Sequence, residues 1–400
     1  MRAGVIHCYW WLAVILLFGF PSQAAVVQVT AEYKPATYEA DNGTFVSTTK
    51  CVKTSDTMWI SSCRGNVMSL DSLLFSLETK VKRNVKKDFS NTKDSFVFLG
   101  SLGNKTMIVT SDKGQQFSVL FKPDKLGVHF NSVVNADDGW KIYNTSFTNP
   151  KGGCRYLERQ VAGYNTLSSW IVLWGDVGGK SCYTDLSVDV ASEIKAMFFG
   201  FKVRPPSPLE MPNGNYTGSI NLSVGQNKDI DLGNGEYEDN QLTIELTLKV
   251  RHQLKVNFPN NTDITHISLQ PSGGWHDWIY RGRKVAPDYL EAILPARIWS
   301  SAPYNIRLKC QYLNSDGSGC QIKNISNTHK VSIDVYATGM RNQTYLIYAN
   351  KDENYYGHTI LTDVDRPFKF KVEKNQIQEM MKYPGSTYKG DVTIVIDAAI

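Results

Sequence analysis

Between positions 80 and 93 the chain carries Lys80, Lys82, Arg83, Lys86, Lys87 and Lys93 against a single carboxylate, Asp88. A run of that sign is either a solvated face or a surface that pairs with acid groups. A second basic feature is Trp140-Lys141-x-Tyr143, entered through the turn Asp137-Asp138-Gly139 and followed by Arg155 and Arg159. An aromatic ring stacks on the apolar face of a sugar while an ammonium pairs with its sulfate or carboxylate. The chemistry on offer is recognition of an anionic sugar. Lys141 is its foremost residue, with Trp140, Tyr143 and Arg155 beside it, and Lys82, Arg83, Lys86 and Lys87 form a further basic surface. The run Trp170-Ile171-Val172-Leu173-Trp174 puts apolar side chains on both faces, which assigns its two indoles to a core.

Bond-making chemistry has little to work with. The sequence has no H-E-x-x-H, G-x-S-x-G or P-loop signature. His276-Asp277, between Trp275 and Trp278, reads as a loop pair. Asp229, Asp231, Glu236, Glu238 and Asp239 are dense in oxygen but lack the regular spacing of a calcium loop. No enzyme, metal or cofactor is expected. A net charge of +5 on 400 residues is too mild for a nucleic-acid binder, and 42% hydrophobic with 20% charged residues is ordinary globular composition.

The elements that position these residues are strands. Phe117, Val119 and Phe121 alternate with polar residues; so do Leu242, Ile244, Leu246, Leu248 and Val250, and Val331, Ile333 and Val335. Period-2 alternation marks strands with one buried face, and many short ones between turn residues predict sandwiches. Helical pattern is confined to Val67–Leu77, Ser192–Phe199 and a turn or two near Ile377–Lys382.

Residues 1–24 read as a signal peptide: Arg2, an apolar stretch from Tyr9 to Phe20, then small residues near Ala24. Six cysteines follow it: Cys51, Cys63, Cys154, Cys182, Cys310 and Cys320. An even count in an exported chain reads as disulfides, of which several connectivities are open. The simplest pairs neighbours: Cys51–Cys63, Cys154–Cys182 and Cys310–Cys320.

An internal repeat divides the chain. Pro212-x-x-x-Tyr216-x-Gly218-x-Ile220-x-Leu222-x-Val224 matches Pro384-x-x-x-Tyr388-x-Gly390-x-Val392-x-Ile394-x-Ile396, each position displaced by 172 residues. This predicts two domains of related architecture, 25–251 and 252–400, each with the repeated strand near its end. After the first copy, Gln241–Val250 supplies a closing strand. After the second no such strand follows, so Val392, Ile394 and Ile396 are expected to edge an open groove. A strand donated by another protein would close it.

In the order of these features the chain resembles the tip adhesins of chaperone–usher fimbriae, of the class 5 kind, with the 987P type as the nearest branch. The resemblance rests on the two N-terminal cysteine loops, the segment Gly214 to Val250, and Phe258-Pro259 with Leu269-Gln270-Pro271-Ser272-Gly273-Gly274. It ends with Tyr388-x-Gly390-x-Val392-x-Ile394. It implies an all-β protein of two Ig-like β-sandwich domains in tandem, an adhesin domain and a pilin domain lacking its last strand. It implies a periplasmic chaperone, an outer-membrane usher, an adjacent pilin that donates a strand, and export to the fimbrium tip. The host receptor would be a glycolipid or glycoprotein. Lys50 and Arg64 flank the first cysteine loop, and Gln226-Asn227-Lys228 follows the later strand. In a well-known member of the family receptor-binding arginines flank the first cysteine loop and a later strand; this sequence departs from that pattern, so their roles are not carried over. The alternative is a minor structural or initiating pilin without a receptor.

Overall fold

The computed structural model describes residues 25–35, 43–51, 63–64, 66–132, 147–162, 168–185, 189–238, 241–258, 266–280, 285–339, 343–351, 353–355 and 361–398. The expected signal segment and the Trp140-Lys141-x-Tyr143 motif lie outside the described residues.

The chain is nearly all β. Its first part builds an eleven-stranded sheet from β1 (Ala25–Tyr33), β2 (Leu73–Val85), β3 (Lys105–Ser111), β4 (Gln116–Ser132), β5 (Arg155–Ala162), β6 (Ser168–Gly175), β7 (Val190–Arg204), β8 (Gly214–Ser223), β9 (Glu236–Tyr237), β10 (Gln241–Val250) and the two-residue strand Val46–Ser47. The order runs β9-β2-β7-β4-β3-β8-β10-β1, ending on Val46–Ser47, with β6 beside β4 and β5 beside β6. β1 lies parallel to β10 over nine residue pairs, from Ala25 opposite Leu242 to Tyr33 opposite Val250. Alternate residues of both strands enter one core, in which Trp170 and Trp174 are fully buried. Their indole N–H groups donate to Ser132 Oγ and to the Phe147 carbonyl, both at 2.9 Å.

A second core is assembled from residues 290–377. Here β11 (Leu254–Asn257), β13 (Arg297–Ser300) and β17 (Leu361–Asp365) form one small sheet. β12 (Tyr289–Leu294), β18 (Phe368–Glu373), β16 (Lys330–Thr338) and β15 (Cys320–Asn324) form a larger one. β14 (Tyr304–Cys310) pairs with β19 (Val392–Ala398). Two short helices complete it: α1 (Gly274–Tyr280), where the sequence reads as a loop around His276-Asp277, and α2 (Lys374–Met380), which falls on the expected helical turn.

Two other helical expectations fail. Leu73–Leu77 belongs to β2 and Ser192–Phe199 to β7. β7 sits between β2 and β4, and Met197, Phe198 and Phe199 are all buried on its two faces. A register shift between Ile194 and Ala196 breaks its alternation further. The disulfides Cys154–Cys182 and Cys310–Cys320 form as expected. Cys51 is also disulfide-bonded, and the side chain of Cys63 lies outside the described residues.

Candidate functional site

The strand period splits the basic run in two. Along β2 the residues Val81, Arg83 and Val85 point inward, whereas Lys82 and Asn84, with Lys86 just beyond the strand, point to solvent. Arg83 is therefore buried, only 4% exposed, and does not share the exposed basic surface on which the sequence reading placed it. Its guanidinium donates to the carbonyls of Lys93 at 2.7 Å, Ser95 at 2.9 Å, Phe96 at 3.1 Å and Asn234 at 3.3 Å. Burial lowers its pKa to about 10, so it stays charged at neutral pH.

Arg83 thereby fixes the loop that follows β8. Asp231, 5% exposed, accepts the ammonium of Lys93 and the N–H groups of Asn227 and Gly233, both at 2.9 Å. Asp229 pairs with Lys105 and accepts from Ser223 N–H at 2.9 Å and Ser223 Oγ–H at 2.8 Å. Partial burial opposes its charge, but these partners hold its carboxyl below the usual range. Of the five acidic residues considered for calcium, Asp229, Asp231 and Glu238 are thus paired with lysines. Burial, then the nearby Asp231, pushes the Tyr237 phenol well up.

The clamped loop forms one wall of a groove of about 800 Å³ at the end of the sheet where β2 and β4 finish and β7 begins. Lys82 and Lys86 line it, with Asn84, Asn131, Ser132, Ser192, Glu193, Lys195, Asn234 and Glu236. Across neighbouring strands Asn131 stands opposite Glu193, Glu193 opposite Lys82, and Lys82 opposite Glu236. Lys195 is the extra residue where β7 shifts register against β4, and it donates to Glu193 at 2.6 Å. That bond, with Lys80 and Lys82 nearby, holds the Glu193 carboxyl below its ordinary range. Lys80 is paired with Glu238. Lys86 makes no ion pair among the described residues.

The remaining expected residues are spread out. Lys87 is exposed outside the groove lining, its backbone N–H donating to Asp189 at 2.9 Å. Arg155 starts β5, opposite Gly175, whereas the end of β6 near the groove is Ser168, opposite Ser132. That separation is about 20 Å of strand, so the structure does not bring Arg155 to Lys82, contrary to the expected grouping. Arg155 instead pairs with Asp176 at 3.2 Å. Trp140, Lys141 and Tyr143 lie outside the described residues. Sequence reasoning missed Glu193, because the irregular β7 hides which of its residues face Lys82, and with it Asn131, which β4 places opposite Glu193.

A second groove, of about 880 Å³, runs between Gly43–Ser47, Val67–Ser72 and Val203–Pro208. Its one charged pair, Arg204 with Asp71, is satisfied internally, which leaves the β2–β7 groove as the better ligand site.

Among known proteins, no family model matches the chain, and no curated protein matches it. Solved structures similar to it include a chaperone–tip adhesin complex of CFA/I fimbriae, at 9% identity over 94% of this chain and 97% of that one, with a TM-score of 0.26. CfaE, the adhesive subunit of the CFA/I fimbria of enterotoxigenic Escherichia coli, is similar at 9% identity over 94% and 93%, with a TM-score of 0.26. The CsuC–CsuE chaperone–tip adhesion subunit complex of Acinetobacter baumannii Csu pili is similar at 9% over 94% and 98%, with a TM-score of 0.23. With TM-scores this low, the likeness carries no weight for the function.

Proposed function

We propose that this protein is a fimbrial adhesin, a non-enzymatic subunit that attaches a bacterium to host cells through an anionic glycan. In this reading residues 25–251 form the receptor-binding domain and 252–400 the pilin domain, and residues 1–24 direct export. A periplasmic chaperone lends the pilin domain a strand, an adjacent pilin replaces it at the usher, and the product stands at the fimbrium tip. The narrower kinship with the 987P branch rests on the sequence resemblance alone.

The observation that carries this reading is the edge of β19. It pairs with β14 on one side and, among the described residues, with nothing on the other. Val392, Ile394 and Ile396 pack against the core yet remain only half-buried. β11 is likewise a sheet edge whose Leu254 and Val256 only partly cover the core. An alternating strand added there would pair the open backbone and cover those side chains. β1, by contrast, is held in its own sheet by β10. The segment 25–33 is thus not free to complete a neighbour, which favours the end of a fimbrium over its shaft.

Adhesion is the test. Beads carrying the full-length protein should bind host epithelial cells and lose most of that binding in the double variant Lys82→Ala, Lys86→Ala, with export unchanged. Binding that survives the double substitution would remove the groove as the receptor site. A wild-type protein that binds no host cell would leave the minor structural pilin in its place.

A further inference from the structure

We propose that the β2–β7 groove is polarised: Lys86 anchors a single acid group, while Glu193, with Asn131 and Lys82, reads the hydroxyls of a neutral sugar. The proposal rests on the reading of this groove as a glycan site and narrows it to saccharides with one acid group at one end.

The charges in the groove do not form a uniform positive surface. Lys82 stands between Glu193 on one neighbouring strand and Glu236 on the other. Adjacent strands lie about 4.8 Å apart, so the two carboxylates compensate its charge locally. What remains is a row of alternating partners: the amide of Asn131, the carboxylate of Glu193, the ammonium of Lys82 and the carboxylate of Glu236. A sugar hydroxyl donates one hydrogen bond and accepts others, so a carboxylate beside an ammonium suits it, and charge assistance strengthens both bonds. A sulfate or carboxylate placed on the same row would meet two carboxylates.

Lys86 differs. It lies four residues beyond Lys82, about 13 Å along the strand direction. It is exposed, lines the same groove and makes no ion pair among the described residues. Lys82 likewise makes no ion pair among the described residues, and Asp94 also lines the groove; what sets Lys86 apart is that it lies beyond the paired part of β2, with no glutamate opposite it on a neighbouring strand. The described lining also contains no aromatic ring, so hydrogen bonding rather than stacking must select the neutral sugar there.

The test uses the immobilised full-length protein and three tetrasaccharide probes: one neutral, one with a single terminal sialic acid, and one heparin-derived and multiply sulfated. The singly acidic probe should bind tightest, its affinity falling a few-fold as salt rises to physiological strength. Lys86→Met should make the singly acidic and neutral probes equal and remove the salt dependence. Glu193→Gln should weaken both roughly tenfold, with the salt dependence retained. The sign of the Glu193→Gln effect decides between the two chemistries. If the row held an acid group, removing the carboxylate would tighten binding, and that result overturns the proposal. So does a multiply sulfated probe that binds tightest, or a salt dependence that survives Lys86→Met. Failure of every probe to bind the wild type would sink the glycan reading itself, and this inference with it. Glu193 and Lys86 are not core residues, so thermal melts matching the wild type would show that both variants are folded.

Discussion

The two copies of the repeated strand share residues and differ in how they pair: β8 runs unbroken in one sheet, whereas the second copy is split, Tyr388–Lys389 pairing with β15 and Val392–Ala398 with β14 in a separate sheet. Tyr216 and Gly218 begin one copy, Tyr388 and Gly390 the other. In both, the glycine lies against a neighbouring backbone: a Cβ on Gly218 would meet the Ile108 carbonyl oxygen at 2.3 Å, and one on Gly390 the Gln321 carbonyl oxygen at 3.0 Å. Each tyrosine is anchored through its hydroxyl. Tyr216 donates to the Pro212 carbonyl at 2.8 Å, whereas Tyr388 is 2.8 Å from His329 Nδ1. Beyond that point the copies part. β8 is followed by β10, whose Leu242, Ile244, Leu246, Leu248 and Val250 are at most 1% exposed. At matching positions of the two copies, Leu222 and Val224 are 0% and 4% exposed, whereas Ile394 and Ile396 stay half-buried at an edge with no partner strand among the described residues. The first copy therefore lies between two partner strands, β3 and β10, whereas the Val392–Ala398 part of the second has one, β14, among the described residues.

That comparison predicts unequal responses to equal substitutions. Leu246→Ala in β10 should cost about 3 kcal/mol, the range for emptying a closed core site. Ile394→Ala in β19 should cost about 1 kcal/mol in the uncompleted chain, because solvent already reaches that side chain. Urea titrations of the two variants check the gap, and equal losses would mean that β19 is as well covered as β10.

Adding a methyl group separates the copies by a smaller margin. Gly218→Ala must displace backbone and should cost about 2 kcal/mol, whereas Gly390→Ala, with 3.0 Å of room, should cost about 1 kcal/mol or less. Thermal unfolding of both variants orders them.

The smallest effect concerns acid. The Asp229 carboxyl has its pKa lowered from 3.8 in the folded state. Its contribution is present above pH 3.8 and is lost as pH falls through the depressed folded value. Asp229→Asn should flatten the stability profile of the first core below pH 4 and leave the second core's profile unchanged. Stability measured in steps across that range, with a probe in each core, gives the comparison.

The strands whose one face is buried were legible in the sequence because their alternation is clean, as at Leu242–Val250 and Val331–Val335. β7 was not, since a central strand covered on both faces loses that signature and its register shift disrupts the remainder. The basic run was read as one surface. The adjacency of Lys82 and Arg83 already required them to face opposite ways on a strand, and the second of the two is a buried clamp. Arg155 illustrates a different limit. Nothing local to it states how far β5 carries it from the groove; only the pairing of β5 with β6 does. The repeat, by contrast, was readable with its displacement of 172 residues, because a Pro, a Tyr and a Gly in register constrain backbone as well as hydrophobicity.

The open edge of β19 is the central claim, and it is tested most directly on residues 252–400 produced in two forms. One is the segment alone; the other has the alternating sequence of Gln241–Val250 tethered after residue 400 by a flexible linker. The account predicts that the segment alone associates and unfolds without a cooperative transition. The tethered form should be monomeric, melt cooperatively and show slow amide exchange along Val392–Asp397. A segment alone that is monomeric, melts cooperatively and already protects those amides would contradict it.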